Sequence, residues 1–154
     1  GMAFYDAKLT ANYCGLTDIN GNPVTNCPAP QAPDGTQLPV TPRFKANMTV
    51  RYEFPLGDFD AHVQGSVVTQ TSSWTDLRLV ERAIIGKQDG WSAFDFTAGI
   101  ANEDWSAEFF VQNATDGRAS LYRYAQCAEA VCGGGTYSVP NQPRTLGLRL
   151  GRKF

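Results

Sequence analysis

The sequence predicts an all-β chain, an antiparallel up-and-down meander of about six strands that forms a segment of a transmembrane β-barrel. Three observations predict it. Segments of period-two alternation recur along the chain, and successive side chains of a strand point to opposite faces. The connections alternate between long and short, which puts the long ones on one rim of the sheet and the short ones on the other. The last residues, Arg144 to Phe154, form an alternating strand that stops on an aromatic side chain, where the ends of soluble domains usually fray.

Taken in order, the first segment sets Tyr5, Ala7, Leu9, Ala11 and Tyr13 against Asp6, Lys8, Thr10 and Asn12. The second sets Phe44, Ala46, Met48, Val50, Tyr52 and Phe54 against Arg43, Lys45, Asn47, Thr49, Arg51 and Glu53. In the third, Phe59, Ala61, Val63, Val67 and Thr69 oppose Asp60, His62, Gln64, Ser66 and Gln70, with Val68 an exception. The fourth places Phe94, Phe96, Ala98 and Ile100 opposite Asp95, Thr97 and Gly99. The fifth places Trp105, Ala107, Phe109 and Val111 opposite Ser106, Glu108 and Gln112, with Phe110 breaking the polar side. The sixth sets Leu146, Leu148, Leu150 and Phe154 against Thr145, Gly147, Arg149, Gly151 and Lys153. No segment carries helical spacing over a useful length.

Residues 15 to 42, 73 to 90 and 114 to 143 are long connections rich in Gly, Pro, Asn, Asp and Ser, whereas Pro55 to Asp58 and Ala101 to Glu103 are tight turns. Outer-membrane barrels are built this way, with long extracellular loops and short periplasmic turns. Starting upward, six strands bring Phe154 down to the short-turn rim. Tyr13, Tyr52, Phe54, Phe59, Trp91, Trp105 and Phe154 fall at or near strand ends, where amphipathic rings settle at headgroup depth. A soluble sandwich also alternates, so periodicity alone leaves open whether the apolar face meets lipid or a core.

Composition bounds the function. The chain has 154 residues and a net charge of −2, with no basic stripe of the kind a nucleic-acid partner requires. No apolar run is long enough for a transmembrane helix. Gly1 before Met2 reads as a tag-cleavage scar, and no basic and apolar leader opens the chain, so an export signal is expected upstream.

Three pieces resemble the C-terminal end of a TonB-dependent receptor. They are Leu38 to Asn47 leading into a strand, Phe110 to Ala119 ending another with a V-x-N-hydrophobic-x-D pattern, and Pro143-Arg144-Thr145 opening the last strand down to Phe154. The third residue from the end, often hydrophobic or aromatic in outer-membrane proteins, is Arg152 here. Such receptors close a barrel of about 22 strands around an N-terminal plug. The resemblance therefore implies a fragment of a transporter in the bacterial outer membrane, for a siderophore, vitamin or glycan. Its implied partners are outer-membrane lipid, the rest of the barrel and its plug, the inner-membrane TonB complex through the missing N-terminal part, and the barrel assembly machinery. That machinery would read Leu146, Leu148, Leu150 and Phe154. No enzyme activity, cofactor or metal is implied. Because six strands leave two open edges, the isolated chain is expected to pair edge to edge with copies of itself or to curl into a soluble sheet. A small standalone barrel with adhesive or structural duty, and a soluble barrel holding an apolar ligand, are the rival readings.

Four cysteines fall in two loop pairs, Cys14 with Cys27 and Cys127 with Cys132, on the rim facing the oxidising side of the envelope, where disulfides persist. A zinc site is the rival, although the spacings lack the tight two-residue knuckle; unpaired thiols are the third option. His62, the one histidine, reads as lumen-lining, and the carboxylates Glu53, Asp95 and Glu108 as partners of Arg43, Lys45, Arg51, Arg149 and Lys153 on matching faces rather than as acid-base catalysts. Asn113-Ala114-Thr115 is a glycosylation sequon that coincides with the strand-end pattern, and Cys132 to Gly135 is a glycine run without a phosphate-loop lysine. Position on the long-loop rim nominates Trp74, Tyr122, Tyr124 and Tyr137 as aromatic ligand contacts, with Arg78, Arg118 and Arg123 as anion contacts.

Overall fold

The computed structural model describes residues 1–124 and 135–153. Strands β1 (Met2–Phe4), β2 (Phe44–Leu56), β3 (Phe59–Gln70), β4 (Trp91–Ala101), β5 (Trp105–Gln112) and β8 (Thr145–Arg152) form one antiparallel sheet in the order β1-β2-β3-β4-β5-β8. A helix, α1 (Leu79–Ile85), lies in the connection from β3 to β4. A separate hairpin of β6 (Ser120–Tyr124) and β7 (Tyr137–Pro140) lies in the connection from β5 to β8. Every neighbouring pair in the large sheet is also consecutive in it, the up-and-down meander that the alternation of long and short connections predicts.

Register makes the two faces continuous. Val50, Gly65, Phe96, Val111 and Leu146 stand side by side across the strands, as do Tyr52, Val63, Ala98, Phe109 and Leu148, and Phe54, Ala61, Ile100, Ala107 and Leu150. A slip of one residue in any pair would send that strand's apolar set to the other side. This face is open: Leu146, Leu148 and Leu150 are 63%, 71% and 78% exposed. Among the described residues the buried hydrophobics are only Cys14, Ala32, Ala61 and Ile85. Soluble domains rarely leave so wide an apolar surface uncovered, whereas a lipid-facing barrel wall must.

On the opposite face, Glu53, His62, Gly99, Glu108 and Arg149 form one row. Arg149 Nη1 donates to Glu108 Oε1 at 2.6 Å, and His62 Nε2 lies 3.4 Å from Glu108 Oε2, too poorly aligned for a hydrogen bond. The row closes because Gly99 has no side chain; a Cβ there would collide with the imidazole. Gly147 does the same for Phe110, whose ring lies over it and carries the Arg149 guanidinium 4.7 Å from its centroid. Phe110, an exception to the polar pattern, thus fills the space that a glycine on the neighbouring strand leaves. Arg152, the departure near the end, stands opposite Trp105 with its guanidinium 4.8 Å from the ring centroid, a cation–π contact at the short-turn rim.

Three elements differ from the expectation. The segment Tyr5 to Tyr13 is not a sheet strand; only Met2–Phe4 pairs with β2. Residues 5–13 bend at Thr10 and Ala11 and bond to the returning limb of their own loop, Leu9 N to Thr36 O at 2.8 Å and Tyr13 N to Ala32 O at 2.8 Å. Pro28, Pro30, Pro33 and Pro39 punctuate that limb, and a residue without an N–H cannot carry a regular ladder. Helix α1 appears where no helical spacing was evident, because seven residues are too few to show a period and tertiary contacts hold it. The loop of residues 114–143 contains the β6-β7 hairpin. Cys127, Cys132 and Phe154 lie outside the described residues.

The Phe110 and Gly147 packing yields a test. Gly147→Val should destabilise the barrel by about 1–3 kcal/mol through overpacking, read as a lowered urea midpoint of the complete receptor in detergent. Adding Phe110→Ala should restore most of the loss; an unchanged midpoint in the single variant would show that the ring does not rest on Gly147.

Candidate functional site

The site grows from the end of β5. Val111-Gln112-Asn113 runs off the strand, and Asn113 adopts a positive φ of 47°, a conformation that asparagine tolerates better than most residues. Its backbone N–H donates to Asp95 Oδ1 at 2.8 Å, its Nδ2 donates to the carbonyls of Gly117 (3.1 Å) and Gln142 (2.9 Å), and its Oδ1 accepts from Gly117 N at 3.1 Å. Three residues on, Asp116 Oδ1 accepts from Arg144 N at 3.1 Å. The strand-end pattern is therefore a clamp that ties the exit of β5 to the entry of β8, and the sequon Asn113 is buried inside it. Asp95, expected in an ion pair, serves instead as an acceptor in this clamp.

Above the clamp, the three long connections knit together. Leu79 N donates to Gln31 O at 2.9 Å and Val40 N to Trp74 O at 2.6 Å, joining the first loop to the second. Arg82 is the buried node: its Nε donates to Asp76 O at 2.8 Å, its Nη2 to Gln37 O, and its guanidinium lies 5.0 Å from the Trp74 ring centroid. Burial pushes the Arg82 pKa down from its ordinary value, with Asp76 acting the other way. Gln88, nearly inaccessible, exchanges backbone bonds with Ser73 and donates from Nε2 to Ser120 O, joining the second loop to the third. Cys14 and Cys27 are joined in a disulfide that ties off the first loop.

The nominated residues sort by neighbourhood. Arg78, Tyr122, Arg123 and Tyr124 line one cavity of about 290 Å³, together with Thr75, Asp76, Glu81 and Ile85. Within it, Arg78 is already engaged, at 3.0 Å from Asp76 Oδ2 and 2.7 Å from Glu81 Oε1. Tyr122 donates to Thr75 O at 3.3 Å and packs on Tyr124 with ring centroids 4.3 Å apart. Arg118 and Arg123 line a second cavity of about 450 Å³. Trp74 lines neither cavity, being held between Arg82 and Lys87, and Tyr137 sits on β7 opposite Tyr124. Sequence reasoning passed over Arg82 and Gln88; long loops give such residues no periodic signature, and only their tertiary contacts mark them.

The hydrogen bonds from Arg78 hold the Asp76 carboxyl below its ordinary value of 3.8, against the opposing effect of burial. A depressed folded-state pKa contributes stability that is present above the unfolded value and is lost as pH falls through the folded one. Asp76→Asn should therefore speed limited proteolysis of the second loop at neutral pH, and the gap to the parent protein should close as pH drops below 3.8. A gap that persists under acid would mean that Asp76 acts through something other than its charge. Asn113→Ala removes the three part-buried bonds to the Gly117 and Gln142 backbone and should cost about 1–3 kcal/mol, visible as a lowered unfolding midpoint.

An open-edged antiparallel sheet with one apolar and one polar face, long connections above and tight turns below, defines a segment of a transmembrane β-barrel. The family description "TonB dependent receptor-like, beta-barrel" matches residues 3–114, and the chain belongs to that family. The matched span takes in β1 to β5 and ends at the Asn113 clamp; the hairpin and β8 lie beyond it. Neither a curated protein nor a solved structure gives a match. The family is one of receptors and transporters, not enzymes, and its members sit in the outer membrane.

Proposed function

We propose that this chain is the closing, C-terminal stretch of barrel wall in an outer-membrane receptor that takes up a scarce nutrient such as a siderophore, vitamin or glycan. Energy would reach it from the inner-membrane TonB complex through a plug that precedes these strands. One observation carries the reading: an apolar face in register across all six strands, under loops braced against one another, in a chain of the TonB-dependent family. Lipid covers that face, and the polar row Glu53, His62, Glu108 and Arg149 lines the lumen. Leu146, Leu148, Leu150 and Phe154 present the terminal strand to the barrel assembly machinery.

Ligand is met on the long-loop rim, with Trp74, Arg78, Arg118, Tyr122, Arg123, Tyr124 and Tyr137 as the contact set. The edges fit incorporation in a larger wall. β1 covers only the start of β2, so among the described residues Met48 to Leu56 have no ladder partner on that side, and β8 has none on its outer edge. The isolated chain should self-associate through these edges.

Deleting the gene should abolish growth on the limiting nutrient, and inactivating the TonB complex in the parent strain should give the same loss. Growth that survives the second change would overturn the uptake reading. Upstream sequence running through further strands, a plug and a signal peptide would place the chain at the receptor's C-terminus, whereas a start site at Met2 would refute that placement.

A further inference from the structure

The cavity of about 450 Å³ on the long-loop rim is lined by two arginines and a single carboxylate among the described residues. Its wall comes from three places: Asp89 to Ser92 at the entry of β4, Gly117 to Ser120 just past the Asn113 clamp, and Arg123, Ser138 and Pro140 of the hairpin. Arginine and the indole N–H are donors with no acceptor capacity. Trp91 Nε1 is buried and has no hydrogen-bond partner among the described residues. Arg118 is largely exposed and reaches a carboxylate only at 3.9 Å, on an Asp116 that already accepts from Arg144 N.

Arg123 is the telling residue. Arg78 is committed to Asp76 and Glu81, and Arg82 to the carbonyls of Asp76 and Gln37. Arg123, half-buried on β6, makes no ion pair among the described residues, although it lines both cavities of the rim. Carboxylates are scarce in the larger cavity among the described residues. Asp89 is its single carboxylate and pairs with neither arginine. The Ser92 and Ser120 hydroxyls are engaged with Thr69 and with the Tyr122 carbonyl. Two guanidinium groups against one carboxylate leave an excess of positive charge among the described lining residues, which an anionic occupant complements.

We propose that this cavity binds an oxyanion group of the receptor's ligand, phosphate, sulfate or carboxylate, anchored by Arg123 with Arg118 in support. The proposal rests on the receptor reading and adds to it the chemical class of the ligand. A volume of about 450 Å³ admits a sugar-sized body carrying the anion, and the planar guanidinium is suited to hold two anion oxygens at once. Phosphate on an outer-leaflet lipid headgroup offers the same chemistry as a soluble anion, so the source has to be tested as well.

The test is calorimetric titration of the complete receptor in detergent with glucose 1-phosphate, glucuronate and glucose, and in parallel with purified lipopolysaccharide. At least one anionic probe should bind and glucose should not. Arg123→Gln should weaken that binding about tenfold or more, the scale of a charge-assisted hydrogen bond. Arg118→Gln should weaken it less, and Arg123→Lys should restore part of it. Raising the salt concentration should lower the affinity of the parent protein. An Arg123-dependent signal from lipopolysaccharide alone would support the oxyanion site and assign it to lipid. Glucose binding as well as the anions, or anion binding that is indifferent to Arg123→Gln in a variant with the parent's heat-modifiable gel mobility, would overturn the proposal, as would no binding by any probe. TonB-dependent growth is measured separately, so a receptor that imports its nutrient but binds no anion refutes this inference and leaves the uptake reading intact.

Discussion

A sheet that meets hydrocarbon must satisfy every backbone N–H and C=O internally while presenting only apolar side chains to the lipid. Both demands fall on strand register. The ladders from β2 to β8 pair apolar with apolar residues across the whole width of the sheet, and in so doing they collect the polar residues on the other side. Everything else follows from that division. The polar face can host charges because the lipid face has none of them except Arg152 at its rim, where Trp105 takes the guanidinium.

Small residues on the polar face keep the register from being defeated by bulk. Gly99 leaves room for His62 to approach Glu108, and Gly147 leaves room for Phe110. In each case a large side chain on one strand lies over a glycine on the next, so cross-strand packing replaces the side chain that the glycine lacks. The Asn113 clamp completes the wall at its upper rim. By consuming the backbone groups where β5 ends, it lets the chain leave the sheet, form the β6-β7 hairpin and return as β8 beside the strand it left.

The loops obey different physics. Without lipid to impose alternation, they are held by a disulfide, a buried arginine and hydrogen bonds between side chains and backbone. The cavities lie among these contacts, so the long-loop surface is braced by the strands below it and by neighbouring loops. Arginines that look equivalent in the sequence are not equivalent here: Arg78 and Arg82 hold the loops together, whereas Arg123 lines two cavities and makes no ion pair among the described residues.

Strand positions β2 to β5 and β8 were legible in the sequence because alternation with period two is a local consequence of which face meets which solvent. The strand end at Asn113 was legible through the resemblance of Phe110 to Ala119 to the family's pattern, whereas the bonds it makes were not. The first strand was misplaced by the same logic: Tyr5 to Tyr13 alternates, but alternation reports an extended chain and not its partner. Only tertiary structure decided that this segment would pair with its own proline-rich return. Tertiary structure also decided that α1 and the hairpin would form inside the loops, and that Arg123 would make no ion pair among the described residues. Faces are written residue by residue, because each side chain carries its own preference for lipid or water. Partners are not, because pairing depends on which distant groups the folded chain brings within hydrogen-bond reach.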